Sequence, residues 1–263
     1  MLAHAIRYHK FVIRTAAGLV FATLLPAQAQ LENNGKPMRV PFECTEADSL
    51  AAGLNCSEEE PCPVYLELAS VESVGNKIFL TGNLHTPTTT LFSILLATED
   101  AGKTWSEAHP RIRLGGLDQI QFVDFQNGWI AGANLQSIPR DPFLLITTDA
   151  GKTWHQRPIY DESRVAVIER YWFDTRENGV LLMDARLERN RHELYETRTG
   201  GESWALQQAS ADPIRFPRNR EPGASGWRVR ADAATHSYHL EKSEAERWHN
   251  VASFLVNLGS CKQ

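Results

Sequence analysis

Four arginines have the type and spacing to grip an anion: Arg140, beside Asp141, and Arg186, Arg189 and Arg191 within one short polar stretch. A guanidinium pairs a carboxylate through two parallel hydrogen bonds, so such a run can hold an acidic group, and the same residues suit a solvated surface patch. Arg140, Asp141, Arg186, Arg189 and Arg191 are therefore candidate binding residues. No metal site is expected: there is no C-x-x-C pair and no H-E-x-x-H, and His236 and His239 stand three apart in what reads as a strand. No motif calls for a cofactor.

The four cysteines, Cys44, Cys56, Cys62 and Cys261, carry the other reactive chemistry. In an oxidising compartment an even set pairs, so all four are disulfide candidates, with free or intermolecular thiols as the alternative. Three connectivities exist. Three cysteines read as preceding the first strand and one as following the last, so at least one bridge must join the two ends; Cys62 with Cys261 is the favoured pair.

Export follows from the first 29 residues. Arg7, Lys10 and Arg14 form a positive flank, Ala16 to Leu25 an apolar run, and Ala27-Gln28-Ala29 a cleavage site. The run is about half of the ~20 residues that span a bilayer, and no later stretch is long enough, so no transmembrane segment is expected after signal cleavage. The product is predicted to be periplasmic or secreted. Asn55-Cys56-Ser57 matches a glycosylation acceptor by spacing alone. Lys and Arg total 27 against 32 Asp and Glu in 263 residues, for a net charge of -5, which excludes nucleic acid as the main partner. Thirteen Pro, 17 Gly and 7 Trp beside only 3 Met suit a turn-rich, all-β chain.

An internal repeat organises that chain. Thr98-Glu99-Asp100-Ala101-Gly102-Lys103-Thr104-Trp105 recurs as Thr147-Thr148-Asp149-Ala150-Gly151-Lys152-Thr153-Trp154, and more loosely as Thr197-Arg198-Thr199-Gly200-Gly201-Glu202-Ser203-Trp204. The tryptophans are spaced by 49 and 50 residues, a period that marks a repeated supersecondary unit. Each octapeptide reads as a turn between two strands: the Asp accepts backbone N–H groups, the Gly takes positive φ, and the Thr ties the far side. Asp100, Gly102, Thr104, Trp105, Asp149, Gly151, Thr153, Trp154, Gly201, Ser203 and Trp204 are assigned structural roles. Each indole is expected to cover the edge of its own sheet, with its N–H on a nearby acceptor. Thr199 replaces the third Asp, predicting a weaker turn. Upstream, Asn127-Gly128 and Asn178-Gly179 between apolar runs predict tight hairpins. The first unit reads as strands at Tyr65 to Ser70, Ile78 to Gly82, Phe92 to Thr98 and from Trp105. A degenerate fourth unit runs through Gly226 to Arg230, Tyr238 to Glu241 and Trp248 to Val256.

These motifs, with Phe122-Val123-Asp124 leading to Gly128-Trp129, resemble the Asp-box (bacterial neuraminidase repeat) β-propeller proteins. That family includes sialidases, some glucanases, sortilin-type receptors and photosystem II assembly-factor-like proteins, and the look is nearest to the last group. The resemblance covers about Val64 to Val256. It implies an all-β fold, a β-propeller of four or five four-stranded blades or an incomplete ring, with Met38 to Glu43 completing or covering a blade. The organisation expected is a signal peptide at 1–29, a Cys-containing extension at 30–63, and a propeller at 64–263 with repeats near 64–115, 116–164, 165–212 and 213–260.

Propellers carry unrelated activities on their loops, so the fold leaves function open. The loops between second and third strands, at Leu84 to Leu91, Ala133 to Pro142, Ala185 to Arg191 and Asp232 to Thr235, are the expected recognition face. Two functions are weighed. One is an exported, non-catalytic binding scaffold that holds another envelope or extracellular protein. The other is a glycosidase of sialidase or glucanase type, or a glycan-binding propeller. The sialidase form lacks the Arg-Ile-Pro element, of which Arg111-Ile112-Arg113 is a partial echo. The glucanase form needs two carboxylates converging on a groove, with Asp118, Asp161 and Glu162 as candidates.

Overall fold

The strands form four antiparallel sheets, each built around strands consecutive in the chain. A computed structural model of the protein describes residues 30–217 and 226–262, so the signal segment expected at 1–29 lies outside the described residues. The first sheet contains β2 (Cys62–Val74), β3 (Lys77–His85), β4 (Thr90–Thr98) and β5 (Thr104–Glu107). It is widened by β1 (Leu31–Glu32) on β5 and, at the other edge, by a terminal strand at Asn257–Cys261 on β2. The second sheet is β6 (Gly115–Phe122), β7 (Gly128–Asn134), β8 (Arg140–Thr147) and β9 (His155–Pro158). The third is β10 (Val167–Phe173), β11 (Gly179–Asp184), β12 (His192–Thr197) and β13 (Ala205–Ser210). Three strands, β14 (Trp227–Asp232), β15 (Ser237–Glu244) and β16 (Arg247–Leu255), form the fourth, and the terminal strand is β17.

The sheets pack side by side through their first strands. β6 lies against β2, β10 against β6, and β14 against β2. Among the described residues no comparable packing joins the third sheet to the fourth. Instead Phe216 and Ile214 cover Val180 and Leu182 on the free face of the third sheet. The main core joins the first and fourth sheets and includes Val64, Leu66, Leu80, Ile94, Trp105, Leu240 and Phe254.

β10 is an edge strand, and its outward backbone groups need partners. Two glutamines of β6 supply them. The Gln121 amide nitrogen donates to the Phe173 carbonyl at 2.8 Å while its oxygen accepts the Phe173 N–H at 2.9 Å. Gln119 does the same for Tyr171, at 2.9 and 3.3 Å. Asn83 Oδ1 accepts the Leu117 N–H at 3.0 Å, linking β3 to β6. Side-chain amides thus stand in for a missing strand between neighbouring sheets.

The repeated octapeptides are turns with a common bond pattern. Asp149 Oδ1 accepts the N–H groups of Lys152 and Thr153 at 3.0 and 2.9 Å, and Oδ2 accepts the Thr153 hydroxyl at 2.6 Å. Thr147 Oγ1 donates to Asp149 Oδ1 and accepts the Gly151 N–H, both at 2.9 Å. Asp100 repeats this with Lys103, Thr104 and Thr98. Ala101, Gly102, Ala150 and Gly151 all have positive φ. In the third turn Thr199 Oγ1 takes over, accepting the Ser203 N–H at 3.0 Å and sharing one bond with the Ser203 hydroxyl.

Burial opposes ionisation of Asp149. The bonds from Thr153, Thr147 and Lys152 outweigh it and bring the pKa down to about 2. A folded pKa below the unfolded value of 3.8 means stability that is present above about pH 4 and is lost as pH falls toward 2. Asp149→Ala should therefore cost about 1–2 kcal/mol at neutral pH, discounted for the water that reaches the turn. In urea melts at pH 7 and pH 2.5 the gap between parent and variant should close at the lower pH; a gap independent of pH would refute the charged-turn account.

Several expectations are corrected. The indoles do not simply cap their own sheets. Trp105 packs edge-on against Phe254 of the fourth sheet, and Trp154 against Phe79 of the first as well as Phe122 of its own. They wedge between neighbours because the positive-φ glycines bring each turn close to an adjacent sheet: Gly102 lies beside Val251 of the fourth and Gly151 beside Phe79 of the first. Only Trp105 of the three turns finds its acceptor, the Gly102 carbonyl at 3.2 Å; the Trp154 and Trp204 ring nitrogens have no partner among the described residues.

The Asn-Gly pairs do not form two-residue turns. Five residues separate β6 from β7 and β10 from β11, and neither Gly128 nor Gly179 has positive φ. The glycines are needed for another reason. Phe122 and Phe173 are their cross-strand partners, and a Cβ on either glycine would sit 2.7 or 2.6 Å from the ring.

The disulfides are Cys44–Cys261 and Cys56–Cys62, not Cys62–Cys261. Cys62 opens β2 rather than preceding it. Asp232 to Thr235 joins the first and second strands of the fourth sheet, not the second and third. The segment before β2 holds a short helix, α1 (Glu46–Ala51), started by a Thr45–Asp48 capping box, and Met38 bridges to Phe254.

Candidate functional site

The first strands of three sheets share an irregularity at one level. β2 is bulged between Leu68 and Ser70, β6 between Leu117 and Ile120, and β10 between Ile168 and Arg170. Bulges bend a strand and re-aim its side chains. At this level the strands part around a cavity of about 570 Å³ including its open mouth. Gly116, Gly132, Ala69, Ala131 and Ala133 keep it clear, and Glu67, Asp118 and Asn83 bring polar groups into it.

The cavity lies toward the sheet ends where the second strands turn into the third. Glu67 is opposite Asn83, two residues short of the end of β3, and Gly116 is opposite Ala133 near the end of β7. Val167, on the cavity wall, is opposite Asp184, which ends β11. The loops at 86–89, 135–139 and 185–191 therefore stand at that end, with Ile138 and Leu187 exposed at two tips.

Asp118 is open to water yet surrounded by the cavity wall. That partial desolvation raises its pKa, and the charge of Glu67 adds to the rise. Among the described residues neither carboxylate has an ion-pair partner. Thr81 donates its hydroxyl to the Asp118 carbonyl, fixing the bulge from β3. Tyr171, deeply buried next to this wall, has a pKa held well above that of a free phenol by desolvation; its hydroxyl donates to the Trp129 carbonyl.

The predicted binding residues are placed differently from one another. Arg191 grips Asp184 through two bonds at 2.5 and 2.7 Å, and Arg186 lies 3.4 Å from the same carboxylate. Those bonds, Arg191's first, hold the Asp184 carboxyl below its usual range. Asp141, with φ of 50°, clamps the backbone of Arg164: its carboxylate accepts the Arg164 N–H at 2.9 Å and its own N–H donates to the Arg164 carbonyl at 2.8 Å. Arg140 and Arg189 are exposed. The structure thus gathers Arg186 and Arg191 on one internal acid and leaves Arg140 and Arg189 facing solvent.

Arg164 itself forms a network that sequence reading missed. Its guanidinium holds Glu193 at 2.7 and 3.1 Å, and the hydroxyls of Tyr160 and Tyr195 donate to the same carboxylate at 3.1 and 2.8 Å. This latches the 159–166 loop onto β12. Arg111 is bound to Glu107 and to the Pro41 carbonyl, and Arg113 to Asp48, so the partial Arg-Ile-Arg echo is structural. Asp161 and Glu162 are exposed in the 159–166 loop and do not line the cavity. Glu67 escaped notice although Val64, Leu66 and Leu68 are buried and Glu67 and Ala69 are exposed: a charge on the non-core face of a first strand was the signal available.

The fold and cavity define an all-β protein of several four-stranded antiparallel sheets whose first strands enclose an acidic pocket. No protein-family model matches the chain, and no curated protein matches it. Among solved structures it is similar to YCF48 bound to D1 peptide, with 19% identity, a TM-score of 0.40, and coverage of 72% of this chain and 55% of that one. A polysaccharide lyase of family PL25, an ulvan lyase, matches at 10% identity and TM-score 0.38 over 77% of this chain and 54% of that one. The α-L-arabinofuranosidase Arb93A from Fusarium graminearum, in complex with an iminosugar inhibitor, matches at 13% identity and TM-score 0.36, with 76% and 67% coverage. The chain spans about half the length of the first two. Among the described residues no helix is long and apolar enough to cross a membrane.

Proposed function

We propose that this protein is an exported, non-catalytic binding module. Its sheets are the blades of an open β-propeller of the Asp-box type, and it holds a protein partner on the loop face around the cavity. The observation that carries the reading is the cavity itself. Two carboxylates without a described counter-ion stand in a recess floored by glycine and alanine, below loops that expose Ile138 and Leu187. Such a recess suits a basic side chain on a segment whose flanks make apolar contact with the loop tips, with Arg140 and Arg189 free to meet acidic groups farther out. The disulfides fit an oxidising compartment outside the cytosol.

The test is affinity capture from an envelope extract with the parent and with a Glu67→Gln/Asp118→Asn variant. Neither residue is in an ion pair, so the variant should melt like the parent while capturing its partner at least about tenfold less well. Equal capture by both proteins would overturn the reading. A second reading, glycoside hydrolysis, is favoured by one observation: burial, and after it the charge of Glu67, raises the Asp118 carboxyl above the usual carboxylate range, as suits a general acid in a recess that holds a second carboxylate. A glycan array and chromogenic glycosides separate the two. Turnover abolished by Glu67→Gln would replace the scaffold reading with a hydrolase.

A further inference from the structure

The four cysteines stand closer together than the two disulfides require. β17 pairs with β2 in an antiparallel register that sets Cys261 directly opposite Cys62, although each is bonded elsewhere. Opposite residues of an antiparallel pair project to the same face, with Cα atoms about 4.5–5.5 Å apart. That lies inside the roughly 4.4–6.8 Å range over which a disulfide can form. All four side chains also pack in one hydrophobic core, Cys56 and Cys261 buried within it and Cys44 and Cys62 at its margin. A third disulfide is therefore available without moving the backbone of the sheet.

We propose that this cluster is a thiol–disulfide exchange site at which a small thiol of the glutathione class moves the bond on Cys261 from Cys44 to Cys62. The thiolate attacks the half-exposed Cys62 sulfur, forming a mixed disulfide and releasing Cys56 as a thiol. A second thiol resolves the mixed disulfide, leaving as the oxidised dimer and freeing the Cys62 thiolate. Cys62 then attacks the Cys261 sulfur across the ladder, and Cys44 departs as a thiolate that takes a proton from water. Two small thiols are consumed and one small disulfide is formed; the protein goes from two disulfides to one, Cys62–Cys261, with thiols at Cys44 and Cys56. The new bond keeps β17 on the first sheet and removes both disulfide ties of the segment carrying α1, which is then held by non-covalent contacts, among them the Asp48–Arg113 ion pair and core packing. The site would thus convert a reducing signal into loosening of that segment while β17 stays on its sheet.

Two experiments on the full exported chain test this, both read by alkylation without reduction and mass spectrometry after cleavage at glutamates, since Glu43, Glu46 and Glu58 to Glu60 separate Cys44, Cys56 and Cys62. In Cys56→Ser the thiol of Cys62 faces an intact Cys44–Cys261 bond. Incubation at pH 8.5 should yield a Cys62–Cys261 peptide and an equal amount of alkylated Cys44 over minutes to hours, and the yield should fall at pH 6.5 as the thiolate fraction drops. In the parent protein, limiting reduced glutathione should give the same Cys62–Cys261 peptide with Cys44 and Cys56 both alkylated. Cys62 alkylated beside an untouched Cys44–Cys261 bond at every time and pH would overturn the proposal. So would a parent protein that only ever loses one native bond or the other.

Discussion

Replacing both Cys44 and Cys261 with alanine is expected to lower stability by about 5 kcal/mol, less any strain released, on the chain-entropy view of a disulfide. The bond joins residues 217 apart, so its loss returns to the unfolded chain the freedom of nearly the whole described sequence. The Cys56–Cys62 bond spans 6, and the same relation gives about 2 kcal/mol for its removal. Against a typical total of about 5–15 kcal/mol, the first loss leaves the fold marginal and the second does not. For a chain of this size the first should lower Tm by roughly 10–20 °C. Calorimetry of the two double variants makes the comparison, and equal shifts would show that the long closure does not act through the unfolded state.

Gln121→Met should be the most damaging single polar substitution between the second and third sheets. Gln121 is 3% exposed, and its amide is the partner of both the N–H and the C=O of Phe173. Methionine keeps the length and removes both partners, so two buried backbone groups are orphaned at a combined cost of about 2–4 kcal/mol. Gln119→Met removes an equivalent pair from Tyr171 at a half-exposed position, where water can replace the side chain, and should cost below about 1 kcal/mol. Urea titrations should show the larger midpoint shift for Gln121 with an unchanged m value. Equal shifts would mean that the amide stitch between β6 and β10 is not a buried one.

Both effects trace to features of different legibility. The octapeptide turns could be read in advance because their bonds are local: Asp149 reaches only to Thr147, Lys152 and Thr153, so residue type and spacing specify the geometry. The strands of the fourth unit, at Trp227–Asp232, Ser237–Glu244 and Arg247–Leu255, overlap the runs expected at Gly226 to Arg230, Tyr238 to Glu241 and Trp248 to Val256, although that unit lacks the turn motif. The number of cysteines announced two bonds. Their pairing stayed hidden because Cys44, Cys62 and Cys261 all meet at one corner of the sheet, where three partners compete within a few ångströms.

What the chain order could not show is where neighbouring sheets touch. Gln121 is an ordinary polar residue in its own strand and becomes a backbone surrogate only beside β10. Gly128 looks like a turn glycine and serves as a slot for Phe122. The cavity depends on bulges at one level of three first strands, and a bulge is a single-residue slip that leaves little mark on a period of two. Local chemistry therefore specified turns and strands, since those depend on residues a few positions apart. The acidic recess, the amide stitching and the cross-strand cysteine pair arise from contacts 34 to more than 190 residues apart along the chain, and only the packed arrangement of the sheets brings such groups within reach.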